Sequence, residues 1–469
     1  GEQTVAVGNF AGYQNQGING VGVGYAAGYF NQEQEAVAVG NLAGYQYQKP
    51  FSVAIGTYAG FGTQGDSAIA VGRGAGESNQ GSGSVALGYY AGRQNQGINN
   101  VAIGFNAGFT GQKDNAVALG RESGYNIQGV SSISIGNNAG YSNQGDNSIA
   151  VGFFAGNDNQ KGTNVAIGYQ AGQKFQAEGS IAIGYVAGQF TQASGSIAIG
   201  YQAGEFNQGL NAVSVGSNAG FTGQGAWGSA VGNLAGSINQ GSESVAFGDQ
   251  AGQRNQGGSS VAIGYNAGQT FQGSFSVSVG REAGQFTQGQ FAVAIGQESG
   301  KFLQASGSIA IGYQAGNNIQ GSGSVAVGLQ SGFTNQGQWS VAIGQEAGAY
   351  SQASRNVAIG YLAGFSGQLF QSTAIGERAG TTNQGSQAVA VGSTAGVSTQ
   401  GFGATAVGFR GLGGYNTCSR FYSRIFNSRF WSNSRRTSIR FIFSRCSSSS
   451  SWLFRRIFQS SIWVNRNRV

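Results

Sequence analysis

The sequence contains no histidine and no methionine, a single proline (Pro50) and two cysteines, and only 9% of its 469 residues are charged. Without histidine the commonest general base and the commonest metal ligand are gone. The cysteines, Cys418 and Cys446, both lie in the last sixty residues, so thiolate nucleophiles and thiolate metal sites are missing from the rest. Their spacing permits one disulfide and demands none. No apolar run is long enough to span a bilayer, and no charged-then-apolar leader follows Gly1. A chain starting at Gly1 without Met reads as processed or truncated. An enzyme is therefore not expected, and no cofactor or metal is called for.

What is abundant is glycine, with 87 residues. A collagen period of three is absent, and Val or Ile recurs at a fixed longer interval, which also argues against a disordered glycine-rich linker. That interval is sixteen. Taking the glycine that closes each Val/Ile-Ala-Val/Ile-Gly core gives Gly8, Gly24, Gly40 and so on to Gly408, 26 copies without an insertion or deletion. A fixed, short period means one structural turn per copy, each stacked on the next.

Positions within the unit are numbered from Val5. Positions 1 and 3 are Val or Ile almost throughout, with Ser229, Thr373 and Thr405 the departures at position 1 and Phe247 at position 3. Position 2 is always Ala, Ser or Gly. β-branched residues flanking a small one, closed by glycine, predict a short strand. Helix is excluded by the glycine density, at about 1 kcal/mol per interior Gly relative to Ala. Position 4 is Gly in every copy, and positions 7 and 8 are Ala/Ser-Gly in the first 25. Gly8, Gly24, Gly200, Gly204 and Gly408 are accordingly expected at corners, where positive φ or close backbone approach admits no Cβ. Position 12 is Gln in the first 25 copies, including Gln16, Gln208 and Gln400. These side chains either form an amide ladder from coil to coil or bond the backbone of their own turn.

The predicted fold is all-β, a parallel β-solenoid or β-roll of about 26 sixteen-residue coils over residues 1–408, followed by an irregular tail over 409–469. At about 4.8 Å per coil the rod is roughly 120 Å long. Burial of two Val/Ile per coil is expected to supply the core, at about 1.5–3 kcal/mol each. Aromatics at position 9 (Tyr13, Tyr29, Tyr45) or position 10 (Phe190, Phe206) are read as a packed ladder supporting a second strand. Position 9 otherwise varies, and Glu205 there is expected to be solvated.

The small file at position 2, which includes Ala38, Ala182, Ala198 and Ala310, admits two readings. Facing out, it permits close lateral approach of a second rod. Facing in, it leaves Val/Ile outside as the apolar stripe. The first is the working expectation, and either leaves an association surface.

The iterated unit Ser-Ile-Ala-Ile-Gly-x-x-Ala-Gly, as in Ser196–Gly204, resembles the head repeats of trimeric autotransporter adhesins of the YadA type and related phage and giant-virus fibre proteins. The resemblance implies a left-handed parallel β-roll, three chains side by side, extracellular on a cell or virion surface, acting in attachment to a host-surface or matrix ligand. The period of sixteen, with its Gln-Gly corner, is longer than that family's usual unit, and neither a heptad stalk nor a barrel anchor follows. The expected function is thus a structural surface fibre or adhesin rod, partnered with itself as a trimer or filament. An ice-binding solenoid is the alternative, though position 11 mixes Asn15, Thr63, Gly111, Ile127 and Phe175 where a regular Thr file is wanted.

Charge is split along the chain. Residues 409–469 hold twelve arginines and no acid, leaving 12 basic against 17 acidic residues in 1–408. The basic pI therefore gives no reason to assign nucleic-acid binding to residues 1–408. The tail reads as a nucleic-acid arm, a membrane-surface segment, a cap or, from Ser-Arg pairs such as Ser423-Arg424, an out-of-frame continuation of the array. Phosphate-binding loops are refused for Gly22-Val23-Gly24, which recurs in every coil and opens no helix. Asp66, Asp146, Glu282 and Glu346 form no recurrent acidic ladder.

Overall fold

The computed structural model describes residues 2–410. Cys418, Cys446 and the Ser-Arg pairs lie outside the described residues.

Each Val/Ile-x-Val/Ile triplet forms a three-residue strand, from Val5–Val7 to Thr405–Val407, and all 26 join one parallel sheet. The register is sixteen residues at every step: Val5 faces Val21, Ile181 faces Ile197 and Val389 faces Thr405. A second set of short strands, such as Phe206–Gln208, ends on the position-12 glutamines and forms parallel sheets of three, seven and ten strands. The described residues thus form an all-β solenoid, as the period predicts.

The corners explain the glycines. Gly200 has φ +130°, and a Cβ there would lie 2.6 Å from the carbonyl oxygen of Gly216, its equivalent one coil on. Gly8 and Gly24 take the same conformation against the glycine of the following coil. Gly204, at φ +53°, would push a Cβ to 2.9 Å from Gln208 Oε1 and 3.2 Å from Ala198 Cβ, so it is fixed by both conformation and the packed interior. Gly408 shares the left-handed conformation at φ +107°, with no atom within 4 Å of such a Cβ.

Glycine is only part of the turning device. Positions 6, 11 and 15 also take positive φ in most coils with non-glycine residues, among them Leu42, Asn15 and Asn19 at +56°, +54° and +58°. The frequency of Asn at positions 11 and 15 was the available signal, since Asn tolerates the left-handed region through local hydrogen bonding.

The interior corrects the expected core. Ala38, Ala182, Ala198 and Ala310 are 0% exposed, as are the position-7 alanines from Ala27 onward, and the hydrophobic clusters consist of alanine throughout. The flanking Val and Ile point outward and stay partly exposed. Two short walls closed by tight corners enclose too little space for branched side chains, so the smallest residues fill it. Hence position 2 is not an outward association file. Its three serines confirm the inward direction: Ser134, Ser214 and Ser278 donate to the Oε1 atoms of Gln144, Gln224 and Gln288 at 2.6, 2.7 and 2.8 Å.

The largest fully buried side chains are all glutamines. Gln208 Nε2 donates to the carbonyls of Ile197 at 2.6 Å and Ala212 at 3.2 Å, while its Oε1 accepts from Gln192 Nε2 at 3.1 Å. Gln16 likewise reaches Val5, Gly20 and Gln32, and Gln400 reaches the Val389 carbonyl at 3.3 Å. Both readings of position 12 therefore hold together, because a primary amide carries two donor hydrogens and an acceptor. The amide ties position 1 to position 12 across the coil and links one coil to the next.

Candidate association surface and opposite face

With alanine and glutamine turned inward, the outer face of the 26-stranded sheet carries Val/Ile files at positions 1 and 3. Ile55, Ile199, Ile311 and Ile375 are 37–40% exposed. Neither file holds a charged residue in any coil. Position 5 continues the face with aromatics: Phe153, Tyr169, Tyr185 and Tyr201 stack in successive coils at centroid spacings of 5.0–5.2 Å and within 10° of parallel. Charges such as Arg73, Arg121 and Arg281 enter only at position 5, where their guanidinium groups lie over neighbouring rings.

The position-9 file is packed, as expected for a supporting ladder. Tyr13, Tyr29, Tyr45 and Phe61 stack at 4.9 Å, and Phe190 and Phe206 stack at 4.8 Å at position 10. Where charge enters position 9 it is paired or strained. Arg93 Nε meets Glu77 at 2.7 Å and lies over the rings of Tyr90 and Phe109. Glu205, by contrast, is only 6% exposed and its Oε2 has no partner, so the expected solvated position is a buried one. Burial raises the pKa of its carboxyl, against a smaller lowering by the hydrogen bond from Gln202.

The acids noted in the sequence serve as local ties. Asp146 accepts from the Val130 amide at 2.9 Å and meets Lys113 at 3.4 Å, which together hold its pKa down. Glu282 pairs with Arg281 and Lys301. Among the described residues no group of three or more Cys, Asp or Glu could hold a metal ion, and no helix is long and apolar enough to cross a membrane.

Across the interior, position 11 faces outward from the second strand set. Its Asn side chains bond along the rod, Asn15 to Asn31 at 2.8 Å and Asn239 to Asn255 at 3.1 Å. Around Thr191, where the second sheet narrows to single bridges from Gln176 to Gln192 to Gln208, the surface opens into a groove of about 460 Å³ whose lining includes Asn143, Asn159, Lys161, Phe175 and Thr191. Nothing in the sixteen-residue pattern pointed to it.

No family model, no curated protein and no solved structure matches this chain.

Proposed function

We propose that residues 1–408 form a structural surface fibre, a rod that associates sideways with copies of itself through the outer Val/Ile wall and mediates attachment. The wall carries the proposal. It is about 26 strands long, roughly 120 Å at 4.8 Å per strand, and its outward files span roughly 10 Å. That is on the order of 1,200 Å², against about 800 Å² per partner in a stable interface and a few hundred Å² for the largest apolar patch of an ordinary monomer. Neither file carries a charge to oppose burial. Extracellular display on a cell or virion, a trimer as the closed assembly, and attachment to a host-surface or matrix ligand follow from the resemblance of the iterated Ser-Ile-Ala-Ile-Gly-x-x-Ala-Gly unit to adhesin heads and virion fibres.

The test is the mass of the particle. Replacing Ile183 and Ile199 together by Lys puts two charges on the wall without touching the interior, and is expected to release single rods in sedimentation. A wild-type array already monomeric at high concentration would sink the association reading. Ice binding is expected to fail a thermal-hysteresis measurement, since the outward files are Val/Ile and a mixed position 11.

A further inference from the structure

We infer that the groove beside Phe175 is a binding site for an acidic sugar unit, on the face of the rod away from the Val/Ile wall. This deepens the attachment reading by naming the ligand class, and rests on it only for biological meaning.

The groove volume of about 460 Å³ falls in the range of small-ligand sites, about 300–1,000 Å³. Its lining includes Ala177 and Ala193 beside the buried Gln160, Gln176 and Gln192. Phe175 is 57% exposed and held at φ +54°, a conformation unusual for a bulky side chain. An exposed ring offers a flat face on which the C–H face of a pyranose stacks. Around it stand groups that suit hydroxyls: the Asn143 amide, the Asn159 amide, which also donates to Asp158 Oδ1 at 2.9 Å and keeps a second N–H, and the Thr191 hydroxyl. The Asn143 to Asn159 bond is long, at 3.4 Å, so a ligand hydroxyl can compete for it.

Charge then selects among sugars. Lys161 lines the groove and makes no ion pair among the described residues, and the nearest carboxylate to the lining that a hydrogen bond marks, Asp158, is held by the Asn159 amide at 2.9 Å. An uncompensated ammonium beside an aromatic platform favours a saccharide carrying a carboxylate.

The molecule contains its own control. Position 11 reads Asn143, Asn159, Phe175, Thr191 in the groove, and again Asn239, Asn255, Phe271, Thr287 six coils later. At position 13 the groove has Lys161, Ala177 and Ala193, whereas the second file has Gly257, Gly273 and Gly289. There the same ring stands on a glycine background, with no lysine at position 13.

The experiment titrates the full chain with methyl β-D-glucuronide, using methyl β-D-glucoside and an oligoglutamate as comparison ligands, followed by calorimetry and ligand-observed NMR. Phe175→Asn and Lys161→Gly install residues the array already uses at those positions, as in Asn159 and Gly145, so both are expected to fold. Saturable binding of the glucuronide is expected, weakened about tenfold or more by Phe175→Asn. Lys161→Gly should reduce it to the glucoside level, and Phe271→Asn should leave it unchanged. No saturable glucuronide binding, equal binding by Phe175→Asn, or tighter binding of oligoglutamate than of glucuronide overturns the assignment. Because the ligand is a soluble monosaccharide, the result is independent of rod association, which the sedimentation of the Ile183/Ile199 variant tests separately.

Discussion

The two walls of the solenoid are built on opposite plans. The wall of positions 1–3 is one uninterrupted sheet of 26 strands, apolar on both faces, with alanine inside and Val/Ile outside. The wall of positions 10–12 is divided into sheets of three, seven and ten strands, mixed outside, with Asn and Thr interrupted by residues such as Ile127 and Phe175, and carrying a buried glutamine inside. Backbone conformation at position 11 does not by itself set the breaks, since Thr287 and Leu303 lack positive φ inside the ten-stranded sheet and Gly367 takes +71° where that sheet has ended. Asn15, Asn31 and Tyr47 take positive φ, whereas Thr63 and Thr191 do not, and at both threonines the strand pairing falls to single bridges. β-branching disfavours the left-handed region, yet Ile127 and Ile319 adopt it, and nothing in the structure explains why threonine differs. The contrast teaches that one wall supplies a constant surface and the other supplies variation along the rod.

If the interior is as narrow as the alanine files require, the strongest disruption comes from enlarging them. Ala182→Lys with Ala198→Lys buries two unpaired ammonium groups and should abolish folding, giving an unfolded spectrum in circular dichroism and not the dispersed rods that an outward file would yield. Gly200→Val comes next. It imposes a β-branched residue at φ +130° and a Cβ 2.6 Å from the Gly216 carbonyl, and should cost about 3 kcal/mol or more in denaturant unfolding.

The polar wall is tested by Gln208→Leu, which removes the bonds of Gln208 to Gln192 Nε2 and to the Ile197 and Ala212 carbonyls, while Gln192 Nε2 keeps the Ile181 carbonyl and the Ala212 carbonyl keeps the Ile197 amide. A loss of about 2–3 kcal/mol is expected. Ser278→Ala removes only the 2.8 Å bond to Gln288 and should cost about 1 kcal/mol. Equal losses for these two would end the view that the glutamine amides cross-brace the coil.

The smallest effect is pH-dependent and sits at Glu205. Its folded pKa is raised above the reference value of 4.5, so the folded state holds the proton more tightly than the unfolded chain does. The carboxyl's contribution is fully present below the unfolded pKa and is lost as pH rises through the raised folded pKa. Glu205→Gln should therefore match wild type near pH 4 and exceed it at pH 7 by about 1 kcal/mol, the low end of the cost of a buried polar atom without a partner. A variant no more stable than wild type at pH 7 would show the carboxyl to be solvated after all.

Sequence alone determined the coil. An unbroken sixteen-residue register, glycine at the fourth position of every unit and a glutamine at the twelfth in the first 25 leave little choice but stacked parallel turns, and Gly200 and Gln208 stand where that pattern puts them. Much of the turning at positions 6 and 15 was hidden, because Leu42, Tyr58 or Trp227 in a left-handed conformation gives no compositional signal. The groove at Phe175 was hidden for a related reason, since it arises from what lies beside the ring in neighbouring coils. Which face of the Val-Ala-Val strand is the core was decided only by tertiary structure. Both faces of such a strand are apolar, so alternation carries no direction. The coil's internal width does, and it admits alanine and an extended amide but excludes a branched side chain.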